Sequence, residues 1–148
     1  MPDKEEIIDL IGVEIDLQNL RTCILSLLRG YSSDFVESFL LESPHGISRK
    51  FLLRLFKERN PHIFIEHFLK YESFLRPAIT GEDWGMESEL LRILKKKIDS
   101  KRIPKYISFF YVIRYVSELE IEYRNLRSLA LAVYHGIPAE RRKRLLVL

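Results

Sequence analysis

Glu14-Ile15-Asp16-Leu17-Gln18-Asn19-Leu20-Arg21-Thr22 returns later in the chain as Glu120-Ile121-Glu122-Tyr123-Arg124-Asn125-Leu126-Arg127-Ser128, a displacement of 106 residues (120 − 14). The correspondence runs on past the block: Leu25 matches Leu131 and Gly30 matches Gly136, each glycine followed by residues that cap or start a helix. A period this long belongs to a repeated helical subdomain, not to a short solenoid unit.

Winding the block at about 100° per residue sets Val13, Leu17, Leu20, Ile24, Leu27 and Leu28 on one stripe, and their counterparts Leu119, Tyr123, Leu126, Ala130, Val133 and Tyr134 are apolar as well. The two helices are therefore expected to superimpose with the same side chains turned inward. Glu14 and Arg21 lie two turns apart on one border of the stripe, as do Glu120 and Arg127. Asn19 and Asn125 fall on another side, beside Ile15 and Ile121, so each helix is expected to be touched from two directions. A buried amide without partners costs a few kcal/mol, so the favoured role for each asparagine is to satisfy polar groups at a helix crossing. The competing role sets Asn19, Arg21, Asn125 and Arg127 against a partner protein, for which the forked guanidinium is suited.

Around the repeat the pattern is helical throughout. Asp3 with Glu6 forms a capping pair for a first short helix, with Gly12 as its end or kink, and Ser32 or Ser33 caps a short helix through Leu41. Ser43-Pro44-His45-Gly46 reads as a turn, and Ser48 opens a helix through Lys57. Asn60-Pro61 opens another to about Leu75, and Pro77 to Gly85 reads as a loop. Met86 to Lys101 makes a charged helix, Pro104 starts the longest, and Pro138 starts a short last one. Period-two alternation is absent, so the predicted class is all-α, a helical repeat subdomain. The predicted organisation is a single domain over 1–148, with one full repeat unit in 1–119 and the start of a second in 120–148.

Composition narrows the function classes. The 24 basic and 21 acidic side chains leave a net charge of +3, too small a field to demand a polyanionic partner. The charge is uneven: Lys95, Lys96, Lys97, Lys101, Arg102 and Lys105 form a candidate basic surface in the second half. The alternative function here is a helical nucleic-acid-binding module, with lysines on phosphates although few aromatics accompany them, or a generic protein-interaction module using the same basic half. One cysteine, Cys23, closes no intrachain disulfide, and its place in the pattern is on a buried flank. The glycines form neither a Walker nor a dinucleotide pattern. His62 and His67, with Glu66, are five apart and splay around a helix, so no metal or other cofactor is expected. No nucleophile elbow frames a serine, and the chain is read as a non-enzyme. Trp84 is expected to fold back on the core, with a role as exposed partner anchor second. The longest apolar run, Ile107 to Ile113, is too short to span a bilayer.

The block Glu-x-x-x-x-Asn-Leu-Arg at 120–127, near the end of a long helix and followed by Gly136 and a Pro138-led short helix, resembles the closing segment of the C subunit of archaeal-type and vacuolar-type rotary ATPases, whose eukaryotic form is the d subunit. Tyr106 to Glu120 resembles the helix leading into it, and Asp16 to Arg21 the equivalent segment of the preceding repeat. The resemblance implies about one and a third units of a three-unit helical funnel that sits on the membrane rotor ring and receives the central shaft. It implies a coupling role without chemistry, shaft subunits and rotor ring as partners, no small-molecule substrate, and a peripheral position on the cytoplasmic face of the membrane through the complex. The second contact side of the long helix, around Ile121 and Asn125, is then expected to lack cover within the chain and to mediate self-association or assembly.

Overall fold

The computed structural model describes residues 4–43, 46–100 and 109–148, and every regular element among them is helical. In order these are α1 (Lys4–Leu28), α2 (Ser33–Glu37), α3 (Arg49–Lys57), α4 (His62–His67), a 3-10 turn (Leu69–Tyr71), α5 (Glu72–Ile79), α6 (Gly85–Asp99), α7 (Phe109–Tyr134) and α8 (Ala139–Leu145). The chain divides into two compact units, Ile8–Met86 and Met1–Ile7 with Glu87–Leu148.

In the first unit α1 supplies Leu17, Leu20, Cys23 and Ile24, all fully buried, and the short helices bring Val36, Leu52, Phe56, Phe64, Phe74 and Leu75 to the same state. Each such side chain contributes about 1.5–3 kcal/mol by leaving water. That is why helices as short as the six residues of α4 persist where they would not form alone. The ends are set by local chemistry. Ser32 Oγ accepts from the Phe35 N–H at 3.3 Å, and Ser48 Oγ accepts from the Phe51 N–H at 3.2 Å, each satisfying an amide that the first helical turn leaves open.

Arg59 follows α3 with φ 54°, a position usually given to glycine. Its guanidinium compensates by donating to the Tyr31 carbonyl at 2.8 Å and lying over the Phe56 ring at 4.9 Å.

The second unit has a leaner interior: Leu90, Leu91 and Ile98 from α6, Phe110, Ile121 and Ala132 from α7, and Val147 near the end of the chain. Arg114 of α7 ties back to Asp99 of α6 at 3.3 Å, and Arg124 pairs with Glu120 at 3.0 Å and with Glu87.

Several expectations shift. Gly12 neither ends nor kinks a helix: it is buried inside an unbroken α1, whose packing outweighs the ~1 kcal/mol propensity cost of an interior glycine. α2 stops at Glu37, short of Leu41, because the backbone of Leu41 is engaged elsewhere. The helix from Pro61 is not continuous to Leu75; at Phe68 (φ −126°, ψ 52°) the chain breaks from α geometry before the 3-10 turn and α5. Pro77 lies inside α5, not in a loop. Pro44, His45 and the stretch 101–108, with Lys101, Arg102, Pro104 and Lys105, lie outside the described residues.

Candidate functional site

The two copies of the repeated block fold to the same local design. At the end of α1 the Tyr31 N–H reaches the Ser26 carbonyl at 2.9 Å and the Gly30 N–H reaches that of Leu27 at 3.1 Å, with Gly30 at φ 77°. At the end of α7 the Ile137 N–H reaches Ala132 at 2.8 Å and the Gly136 N–H reaches Val133 at 3.0 Å, with Gly136 at φ 66°. Both are Schellman endings, in which a glycine in the left-handed region turns the chain back across the last helical turn. Ser32 and Pro138 then stand at the same place, as the N-caps of α2 and α8.

The turned-back chain is caught by the asparagine. Asn19 Nδ2 donates to the Leu41 carbonyl at 2.8 Å, and Asn19 Oδ1 accepts from the Leu41 N–H at 2.8 Å. Asn125 Nδ2 donates to the Val147 carbonyl at 2.8 Å, and its Oδ1 accepts from the Val147 N–H at 2.9 Å. Each amide sits 22 residues before the backbone it holds. A carboxamide is the side chain that matches both polar groups of one residue at once, as a neighbouring strand would. An apolar residue here would strand a donor and an acceptor, costing about 1–3 kcal/mol for each buried group. Asn19 and Asn125 thus hold backbone groups of the coil residues Leu41 and Val147, where the expectation was a helix crossing.

Each clamp has its own support. In the first unit Asp16, buried, accepts from the Ile47 N–H at 2.8 Å. A Cβ on Gly46 would collide with the Asp16 carboxylate and Ser43 Oγ, so glycine is required there for the close approach. In the second unit Arg92 of α6 donates to the carbonyls of Arg144 and Leu146, and Ser88 Oγ to that of Leu145 at 3.3 Å. The segment after α8 is thus fastened to α6 and to α7.

Beyond the clamps the repeats diverge, and the expectation of matching inward faces fails. Leu20 is 0% exposed whereas its counterpart Leu126 is 62% exposed; Leu17 is buried whereas Tyr123 is 65% exposed. Leu119, Ala130, Val133 and Tyr134 are exposed too. The physical reason is cover: the elements following α1 bring many large buried side chains, among them Val36, Leu52, Phe56, Phe64, Phe74, Leu75 and Met86, whereas α8 among the described residues contributes no buried side chain. The expectation for Ile121 is reversed as well. It is buried at 7%, so the apolar surface α7 exposes is the Leu119–Leu126 stripe instead.

The arginines do not repeat each other's surroundings. Arg21, with Thr22, Arg29, Tyr31, Phe35 and Phe39, lines an open groove on the first unit, where Tyr31 stacks on Phe35 at 4.6 Å and Phe35 meets Phe39 at 4.9 Å. Arg127 is exposed on α7. Glu14 is exposed on α1, while Glu120 is occupied by Arg124. Of the basic surface, Lys95 donates to Asp99 at 3.1 Å, Lys97 is engaged, and Lys96 is exposed.

Trp84, expected to fold back on the core, is instead 51% exposed in the turn before α6. Cys23 is buried, and desolvation pushes its thiol up to about 12. His67 packs edge-on against Phe51 at 5.5 Å, and no cluster of three or more His, Cys, Asp or Glu able to hold a metal occurs among the described residues. No helix among the described residues is long and apolar enough to cross a membrane. What the arrangement offers is rigid helix ends and exposed helix faces.

The model of one protein family, the ATP synthase (C/AC39) subunit, matches residues 1–145. No curated protein and no solved structure matches the chain. With nearly its whole length covered, the chain belongs to the ATP synthase C/AC39 subunit family, the C/d subunit of V/A-type rotary ATPases.

Proposed function

We propose that this chain is a non-catalytic coupling piece of the central stalk, linking the central shaft to the membrane rotor ring so that torque passes between ATP chemistry in the soluble head and proton or sodium translocation in the membrane. The observation that carries the reading is family membership over 1–145. The doubled clamp supports it: transmitting torque calls for helix ends that do not yield, and Asn19 and Asn125 fasten each helix to the chain that follows it. In this reading 1–119 acts as one repeat unit and 120–148 begins another. The chain binds no small-molecule substrate and sits peripherally at the cytoplasmic face through its complex. Arg21 and Arg127, unlike in their surroundings, serve contacts with different partners. The nucleic-acid alternative draws less support, since Lys95 is committed to Asp99.

Co-purification with rotor-ring and central-shaft subunits of a V/A-type ATPase tests this. Stable capture of the chain by ring plus shaft is expected. Absence of capture by either, from a chain whose helical content is intact, would refute the coupling role.

A further inference from the structure

The open groove on the first unit has two walls: the α1 side from Gln18 to Arg29, and a column of three aromatic side chains, Tyr31, Phe35 and Phe39. The column is not needed to end the helix or to close the clamp. In the second repeat the corresponding residues, 106 positions on, are Ile137, Arg141 and Leu145, and the same Schellman ending and asparagine clamp form there without an aromatic. Nor does the column supply the core. Val36 of α2 does that at 0% exposure, while Tyr31, Phe35 and Phe39 stay 42%, 43% and 57% exposed. Contiguous exposed apolar surface of this kind marks an interaction site.

The charge beside the column specifies the occupant. Arg21 and Arg29 line the groove, and among the described residues no Asp or Glu does. No hydrogen bond or ion pair engages the Arg21 side chain among the described residues. Arg29 reaches only Asp83, at 3.9 Å between two well-exposed groups, a contact worth little. The two arginines stand eight residues apart, a rise of about 12 Å in helical geometry. On an apposed helix, two carboxylates seven or eight residues apart span the same distance, and apolar residues one turn inside them meet the aromatics. Tyrosine, phenylalanine and arginine are also the residues that protein interfaces favour. A nucleic acid fits less well. Tyr31 and Phe35 stack on each other, centroids 4.6 Å apart at 26°, so those ring faces are not offered to bases. α2 also carries Asp34 and Glu37, which oppose a phosphate backbone.

We propose that this groove docks a short amphipathic helix of a partner protein, with two carboxylates about two turns apart flanking apolar residues, a claim that rests on the partner role given to Arg21 above. The probe is a helix-stabilised synthetic peptide with two glutamates seven residues apart bracketing two leucines on the same face. It carries a dye for fluorescence anisotropy and is titrated with the full chain. Saturable binding in the micromolar range is expected, with a twin peptide bearing lysines for the glutamates ~10-fold weaker or more. Arg21→Glu with Arg29→Glu is expected to reverse that order, and Phe35→Ala to weaken the acidic peptide ~10-fold. None of these three side chains is buried, so helical content should be retained. Tyr134→Ala, at an 83% exposed aromatic outside the groove, leaves binding unchanged. Equal binding of the acidic and lysine peptides, or no saturable binding up to millimolar concentration, overturns the proposal. So does a single-stranded oligothymidylate that binds more tightly than the acidic peptide and displaces it. Self-association of the chain that Arg21→Glu abolishes also overturns it, and assigns the groove to a second copy. Peptide binding needs neither rotor ring nor shaft, so its failure leaves the capture result for the coupling role standing.

Discussion

Leu20 and Leu126 occupy the same position of the same repeated block, each one residue after its asparagine, and they meet opposite environments: one is sealed in a core, the other stands in solvent. Asn19 and Asn125, one residue earlier, make the same pair of backbone hydrogen bonds, with lengths that agree to a tenth of an ångström. The contrast separates two kinds of information in the block. Helix ending, chain reversal and clamp are written within a short span of sequence, so they recur wherever the block does. Burial of the stripe depends on elements far outside it, so it differs.

The largest effect should break the symmetry between the leucines. Leu20→Ala is expected to cost about 2–5 kcal/mol of unfolding free energy by emptying a packed site, whereas Leu126→Ala in the dilute chain should stay within about 0.5 kcal/mol. Denaturant melts of the two variants decide it; equal losses would mean that both stripes are packed.

The asparagines should sharpen the other half of the contrast, because they act alike. Asn19→Ala is expected to cost about 2–3 kcal/mol by leaving the Leu41 amide and carbonyl without partners. Asn125→Ala, at a half-buried site, should cost about 1–2 kcal/mol and loosen the segment after α8 while leaving α1 undisturbed. A neutral Asn19→Ala would show that the clamp contributes nothing to stability.

Gly30→Ala and Gly136→Ala should match each other, at about 1 kcal/mol each, since both place a Cβ in the left-handed region. An added Cβ meets nothing within 4 Å at either site, so the cost is backbone strain alone. Thermal melts that differ strongly between the two would separate the two helix endings.

The smallest effect near neutrality concerns Cys23. Its thiol is held up at about 12 against an ordinary value of 9.0. The neutral form is thus favoured by the fold: the contribution is fully present below pH 9.0 and is lost as pH rises toward about 12. Stability measured against pH should fall across that window, and Cys23→Ala should flatten the fall. At pH 8 a thiol reagent should label Cys23 only as fast as the chain unfolds.

Much of this was legible in the residues themselves. Ser32, Ser48, Gly30 and Gly136 announce helix ends through their own chemistry, and the shared Asn-Leu-Arg marks an amide that needs partners. The identity of those partners was not legible, because Leu41 and Val147 are held through backbone groups that every residue carries. Gly12 misled because packing overrides a weak local preference, and Pro77 because α5 continues past it with Phe74, Leu75 and Ala78 buried. The break at Phe68 has no glycine or proline to mark it. Which face of α7 is covered was not legible either, since apolar periodicity identifies a face that wants cover and is silent about what lies over it.

The clamp common to both repeats is tested most directly by amide hydrogen exchange in the intact chain, read at Leu41 and Val147. Both N–H groups donate to an asparagine Oδ1, at 2.8 and 2.9 Å. Both should exchange on the order of 100-fold or more slowly than an unstructured peptide, Val147 even though it lies outside any helix, and Asn125→Ala should release Val147 alone. Exchange of Val147 at the unstructured rate in the unsubstituted chain would contradict the repeated design.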